Sequence, residues 1–214
     1  MSIGTPFGLA FASGINAYLP LLSFAIATRW LHLYKVNPNF AFVTSDWFLA
    51  VLVILTIMDF VADKIPVLDH TWDATHTVIR PVMGAVVAAA ASSSLPGEIH
   101  LSESSHHLPG TVVAAISTAP VEGVGLLIVL VVGGLLAIMC HMVKATTRLV
   151  STLSTAGLFN SILSFLEDGF VLLVILLSLF VPAVMLILII LFVIFLGPRL
   201  FHVWSNRLGG RRIL

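Results

Sequence analysis

Hydrophobic residues dominate the chain in five stretches that are separated by shorter polar segments. The apolar stretches cover residues 6–28, 47–61, 84–95, 121–143 and 170–196. About 20 apolar residues in a helix cross the roughly 30 Å hydrocarbon core of a bilayer. The pattern predicts an all-α membrane protein, a polytopic bundle of about five transmembrane helices.

Three of these stretches have a special composition. Residues 6–28 include Gly14, Asn16 and Pro20, and residues 84–95 are nearly all Ala, Val and Ser. Both are expected to be interior helices packed through small residues, the first broken near residues 14–16. The stretch 170–196 is about 40 Å long as a helix, so it is predicted to be one span that tilts or kinks at Pro182.

Composition agrees with lipid as the solvent. Hydrophobic residues make up 59% of the 214 residues and charged residues only 9%, whereas a soluble domain has roughly a quarter charged residues. Net charge is zero, which argues against a nucleic-acid partner. The expected partner is therefore the lipid bilayer. A single domain, residues 1–198, is predicted to lie in the membrane. Residues 199–214, with four Arg, Phe201 and Trp204, are typical of a basic interfacial tail.

Two features of topology stay open in the sequence. The positive-inside rule favours an outer N-terminus and an inner C-terminus, but the histidine-rich segment 97–110, which lacks Lys and Arg, then falls inside. A re-entrant segment within residues 149–166 would reconcile the two. Residues 8–20 match 84–96 in length and ends, and 70–75 echo 141–146. These matches indicate either an internal two-helix pseudo-repeat or chance similarity in a biased composition.

Ionisable and amide side chains are concentrated in a few helical stripes. Asp59 and Asp63 are four residues apart, and His141, Lys144 and Arg148 follow spacings of three and four. A charge at membrane depth costs about 2.5 to 3.5 kcal/mol, so a functional role is the default hypothesis and interfacial or purely structural charge pairs are the alternative. The predicted transport-pathway or buried polar network comprises Asn16, Asp59, Asp63, Asp73, His76, Arg80, His141, Lys144 and Arg148, with Asp73 expected to contact Lys144.

A divalent metal site is a second hypothesis for part of this network. Asp69, His70, Asp73 and His76 combine two imidazoles with two carboxylates at helical spacing. Ordinary hydrogen bonding explains such histidines at least as well. The cofactor therefore stays unknown, with a divalent metal as the one candidate.

Three segments carry a resemblance to a known family. Residues 8–20, 60–81 and 141–148 resemble a bacterial multi-pass membrane family catalogued as a domain of unknown function, number four-one-two-six. The resemblance covers roughly residues 7–195 and is most specific over 63–81. It implies a multi-pass protein of the bacterial inner membrane, and it supplies no activity.

The residues favour a small transporter or channel for an ion or small polar solute, with carboxylates and histidines available to relay protons. A homo-oligomer is expected, because so small a bundle often needs partners to enclose a path. A membrane enzyme using the metal site and a non-catalytic membrane scaffold stay open. No spacing indicates a nucleophile or a phosphate loop, so an enzyme is the less favoured class and no catalytic residue is assigned.

Overall fold

The computed structural model describes residues 3–62, 66–94, 123–155 and 160–209, with side chains described except at 66–74, 94, 154–155, 160–161 and 200–209. All regular structure in these ranges is helical. The α-helices are α1 Gly4–Ser13, α2 Leu19–Arg29, α3 Asp46–Ala62, α4 Pro66–Ala90, α5 Gly123–Thr155, α6 Asn160–Phe180 and α7 Pro182–Gly209, and 3-10 helices form at Pro38–Thr44 and Ala91–Ser94.

Several of these helices suit a membrane. Three segments in the described ranges are long and apolar enough to cross one, namely Gly123–Leu153, Ile162–Phe180 and Pro182–Arg199. Pro38–Thr44 with Asp46–Ala62 makes a fourth if this bent pair counts as one span. The predicted class, an all-helical integral membrane protein, is confirmed, with three to four candidate spans.

Helices α1 and α2 form a hairpin instead of the single span predicted for residues 6–28. Tyr34, which follows α2, packs its ring 6.0 Å from that of Phe24 and donates a hydrogen bond to the carbonyl of Leu179. Burial raises the pKa of the Tyr34 hydroxyl. Gly4 abuts the Pro182 carbonyl, three residues from Leu179, although Gly4 and Phe24 would be about 30 Å apart in one straight helix. The start of α1 and the end of α2 therefore lie at the same end of the bundle, which we name the hairpin end.

The residues between α1 and α2 explain why the chain turns there. A Cβ at Gly14 would collide with the Ala137 carbonyl and lie 2.6 Å from Cβ of Cys140, so only glycine allows α5 this close. Asn16 Oδ1 accepts the amides of Tyr18 and Leu19, at 3.2 and 2.9 Å, and so caps the start of α2. The predicted break near residues 14–16 is confirmed, and residues 14–18 form the tip of the hairpin.

The prediction of one kinked span over residues 170–196 was wrong. Helix α6 ends at Phe180, and Pro182 starts α7, where its fixed φ and missing N–H fit the first turn. Phe170 and Phe192 line the same cavity, although they would be about 33 Å apart in one straight helix. The chain thus reverses at residue 181, and a continuous apolar run hid two antiparallel helices.

Among the described helices, α4 and α5 pack against each other most extensively, and glycines allow this close packing. A Cβ at Gly133 would lie 2.6 Å from Cβ of Ala88 and 2.8 Å from the Gly84 carbonyl. Helix α1 lies against the same seam, since the Ala10 carbonyl is 3.3 Å from a Cβ built on Gly84. Nine of the ten residues of α1 are buried, so its predicted interior position is also confirmed.

The described helices also test two other predictions. Residues 84–90 are the buried end of α4, which already begins at Pro66, so 84–95 is not a separate short helix. Residues 149–155 continue α5 and Asn160 begins α6, which leaves no separate re-entrant helix in the described part of 149–166. The two-helix pseudo-repeat is not confirmed. Residues 8–20 span the end of α1 and a turn, whereas 84–94 span the end of α4 and a 3-10 helix.

Candidate functional site

Ionisable side chains from four helices converge around the hairpin tip, and we call this set the buried polar cluster. Each lies on a helix that brings it to the depth of residues 14–18, and each is nearly shielded from solvent. Its members are Asp59 on α3, His76 and Arg80 on α4, His141, Lys144 and Arg148 on α5, and Glu167 on α6.

A carboxylate and an imidazole pair at one edge of the cluster. His76 Nε2 lies 3.4 Å from Asp59 Oδ1, and the two side chains are 1% and 3% exposed. The Tyr18 ring, at the hairpin tip, meets the His76 ring edge-on with centroids 5.7 Å apart. The contact joins α3, α4 and the tip, and an Asp–His pair shielded from water is suited to holding or passing a proton.

Arg80 and His141 join α4 to α5 in the middle of the cluster. Arg80 Nη1 lies 2.6 Å from His141 Nδ1, and Thr77 Oγ1 lies 3.2 Å from His141 Nε2. Since Arg80 only donates, His141 Nδ1 accepts from it, so Nε2 carries a proton in the neutral ring and donates to Thr77. Arg80 is fully buried, which makes it the largest completely buried side chain of the described residues.

Lys144 connects the hairpin tip to α6. Its Nζ donates to the Ile15 carbonyl at 3.0 Å and lies 3.2 Å from Glu167 Oε2. Arg148 binds the same carboxylate through two nitrogens, with Nη2–Oε2 at 2.7 Å and Nε–Oε1 at 3.3 Å. A forked guanidinium–carboxylate pair of this kind is among the strongest side-chain interactions. The unwound backbone of the tip is therefore held by a buried two-cation, one-carboxylate group.

A cavity of about 290 Å³ opens beside this group. Lys144 and Glu167 supply its charged atoms, and the other lining side chains are apolar apart from Thr147. Its walls come from α1, α5, α6 and α7, and the lining residues are Phe11, Ile15, Cys140, Val143, Lys144, Thr147, Leu163, Leu166, Glu167, Phe170 and Phe192. The volume is close to that of small-molecule sites in proteins.

Six of the nine predicted network residues meet in this region. His76, Arg80, His141, Lys144 and Arg148 are in direct contact with other members or with the tip, and Asp59 pairs with His76. Asn16 lies at the tip but uses its carbonyl oxygen to cap α2. Asp63 and the side chain of Asp73 lie outside the described residues, so the predicted Asp73–Lys144 contact stays a prediction.

Glu167 is the site residue that the sequence interpretation left out of the network, because its place at the start of a long apolar run is typical of an interfacial charge. A signal was available. Lys144 and Arg148 share one helical face, and two buried cations one turn apart need a carboxylate. Glu167 is on the next helix and accepts from both.

The metal hypothesis concerns residues that are mostly outside the described part. The side chains of Asp69, His70 and Asp73 are not described, and His76 is paired with Asp59. Within the described residues, no three His, Cys, Asp or Glu side chains are grouped to hold a metal ion. The four-ligand site therefore stays a prediction, and α4 does make residues 66–80 continuously helical as the spacing argument required.

The printed contacts pair most of the charged members of the cluster. Lys144 and Arg148 both bind the carboxylate of Glu167, and Asp59 lies beside His76. Buried charges are stable in a low-dielectric interior when they are paired and hydrogen-bonded in this way.

The fold and the cluster define a helical integral membrane protein with an ionisable interior. Residues 3–200 match the family described as Domain of unknown function (DUF4126), so the chain belongs to that family. This confirms the resemblance carried by the three sequence segments. Comparisons with curated proteins and with solved structures gave no match.

Proposed function

We propose that this protein carries an ion or a small polar solute across a membrane through a site at the hairpin tip. The observation that carries the proposal is the contact between the buried cation group and the unwound backbone, Lys144 Nζ to the Ile15 carbonyl. Ionisable groups inside membrane bundles typically mark substrate or ion paths, and broken helices typically provide the backbone groups that line them.

The proposal includes five membrane crossings, α3 to α7, with α1–α2 entering and leaving at one face. The ten residues of α1 extend about 15 Å, half of the hydrocarbon thickness, so the tip reaches the middle of the bilayer. Gly4 abuts Pro182 at the start of α7, and Arg29 pairs with Asp46 at the start of α3, 2.6 Å apart. Both contacts agree with a hairpin that starts and ends on one side.

Counting cations over the proposed arrangement supports one orientation in the membrane. The hairpin end carries Arg29 and Lys35, the opposite end Lys64 and the four tail Arg, and three cations are buried. The positive-inside rule then places the opposite end in the cytoplasm. The bacterial inner membrane is the proposed location.

Proton linkage is part of the proposal because titratable groups follow one another across the bundle. The sequence of neighbours is Asp59–His76 on one side, Arg80–His141 in the middle and Lys144–Glu167 beside the cavity. Asp63 and Asp73 are proposed members beyond the described side chains, and a homo-oligomer is the proposed assembly.

Flux in reconstituted liposomes tests the proposal. The purified protein is incorporated with a trapped pH dye, and gradients of protons, sodium, potassium, chloride and small organic anions are imposed in turn. We expect flux of at least one of these that depends on the protein. It should be lost in Glu167→Gln and retained in Leu135→Ala, an exposed position on α5.

Other outcomes move the assignment to a different class. Vesicles with folded protein that are indistinguishable from empty vesicles for every gradient overturn transport and favour a scaffold. Stoichiometric metal in the purified protein, lost in Asp73→Asn, favours the metal-dependent enzyme.

A further inference from the structure

We propose that the cavity between α5 and α6 holds one acyl chain of a bilayer phospholipid, which enters sideways from the membrane. Such a lipid is separate from the transported solute of the proposed function. Its chain would lie against α1 and the hairpin tip, inside the bundle. The lining, the shape and the opening of the cavity support this occupant.

Two helical stripes form the long walls of the cavity. The lining residues of α5 run from Cys140 to Thr147 and those of α6 from Leu163 to Phe170, and both sets follow the i, i+3, i+4, i+7 spacing of a single helix face. Faces with this spacing usually pack against another element. Here α5 packs far less against α6 than against α4, and the cavity lies between the two stripes.

The shape of the cavity suits a thin chain. Each stripe is seven residues long, which corresponds to about 10 Å along the helix. A helix of about 10 Å diameter would occupy roughly 800 Å³ over that length. The cavity measures about 290 Å³, so it does not admit a helix from a second copy of the chain. A single hydrocarbon chain is narrow enough to lie along it.

The cavity reaches the outer surface of the bundle along α6. Leu166 and Phe170 line the cavity, yet they are 65% and 48% exposed. They belong to the candidate span Ile162–Phe180, whose outer surface meets hydrocarbon in a membrane. A ligand that enters beside these two residues therefore comes from the lipid layer and not from water.

The polar groups at the edge of the cavity already have protein partners. Lys144 Nζ donates to the Ile15 carbonyl and lies 3.2 Å from Glu167 Oε2, and Arg148 binds the same carboxylate. The other lining side chains are apolar apart from Thr147. An acyl chain thus gains from the burial of apolar surface without displacing any of these contacts.

A photoreactive phospholipid tests the proposal. The purified protein is reconstituted in phosphatidylcholine vesicles that contain a small share of phosphatidylcholine with a diazirine on one acyl chain. After illumination and digestion, mass spectrometry locates the adducts. We expect adducts on Phe11, Ile15 and Cys140, which line the cavity but are buried. Adducts on Leu172, an exposed residue of α6, report ordinary contact with surrounding lipid.

Two variants fill the cavity from opposite walls. Val143→Phe does so from α5 and Leu163→Phe from α6. Each should lower the labelling of the buried residues by about tenfold or more, because excluding two methylenes already has an effect of that size. Leu135→Phe, on the exposed face of α5, should leave it unchanged. Labelling of Leu172 should stay the same in all three variants, and thermal unfolding in detergent shows which of them are folded.

Three results would overturn the proposal. The first is labelling that is confined to exposed residues such as Leu172. The second is labelling of the buried residues that a folded cavity-filling variant does not reduce. The third is labelling of those residues by a diazirine fatty acid but not by the phospholipid, which would make a free acid the occupant. The experiment needs no gradient, so its outcome is independent of whether flux is found in liposomes.

Discussion

Replacing Lys144 by methionine removes a buried ammonium while keeping much of the apolar length of the side chain. The ammonium donates to the Ile15 carbonyl at 3.0 Å and lies 3.2 Å from Glu167. Losing a hydrogen bond from a charged donor costs about 1.5 to 3 kcal/mol. Glu167 keeps its two bonds from Arg148, so the larger cost of about 3 to 5 kcal/mol for an orphaned buried charge does not apply.

Lys144→Met should loosen the hairpin tip as well as lower the stability of the whole protein. The backbone of residues 14–18 loses its tie to α5, so its amides should exchange with deuterium faster in Lys144→Met. Arg148→Met is the matched control. Its partner Glu167 lies on α6, so this variant should lower thermal stability in detergent at least as much without speeding exchange at the tip.

Hydrogen–deuterium exchange followed by mass spectrometry compares the two variants, with thermal unfolding as the second readout. If Lys144→Met lowers stability but leaves exchange at residues 14–18 unchanged, Lys144 does not hold the tip and the reasoning is wrong. Equal acceleration at the tip in both variants also refutes it, because the effect would then come from general loosening.

Three further predictions concern packing, capping and the Asp–His pair. Gly133→Ala should lower thermal stability by about 1 to 3 kcal/mol through overpacking against α4, whereas Gly169→Ala, with nothing within 4 Å, should not. Asn16→Ala should cost about 1 kcal/mol of stability through the lost helix cap, and Asn16→Asp should recover most of that loss. Equal stability of the two variants would contradict the capping role of Asn16. Asp59→Ala should destabilise more than Asp59→Asn in a thermal melt, because the amide can still accept from His76, and equal losses would argue against the pair.

The class of protein and much of the candidate site could be predicted from the composition and from the spacing of the polar residues. Few charges and long apolar runs indicate lipid, and the i, i+3, i+7 spacing of His141, Lys144 and Arg148 predicted one buried face of α5. The small residues of 6–28 and 84–95 indicated interior packing, since only side chains without bulk allow backbones as close as Gly84 and Gly133.

Chain reversals were the features that hydropathy could not locate. A window average does not distinguish a long crossing from two helices joined by a tight turn, so residues 170–196 gave one predicted span where Pro182 starts a second helix. The same ambiguity hid the hairpin, because a break inside an apolar run leaves direction undetermined. Direction is set by long-range contacts such as that of Tyr34 with Leu179, which no local pattern encodes.

Partner identity inside the cluster also depends on tertiary placement. Glu167 has the sequence context of an interfacial residue, and only the approach of α6 to α5 brings it to Lys144 and Arg148. Spacing within one helix can show which residues share a face, but it does not show which helix covers that face.

Side-specific labelling of cysteines tests the central claim, that α1 and α2 enter and leave at the same side. Cys140 is the only cysteine, so a Cys140→Ala background accepts single cysteines at exposed Ile3, Leu31 and Leu153. With a membrane-impermeant maleimide on right-side-out and inverted vesicles, we expect Ile3→Cys and Leu31→Cys to label from one side and Leu153→Cys from the other. Labelling of positions 3 and 31 from opposite sides would make α1–α2 a crossing and contradict the hairpin account.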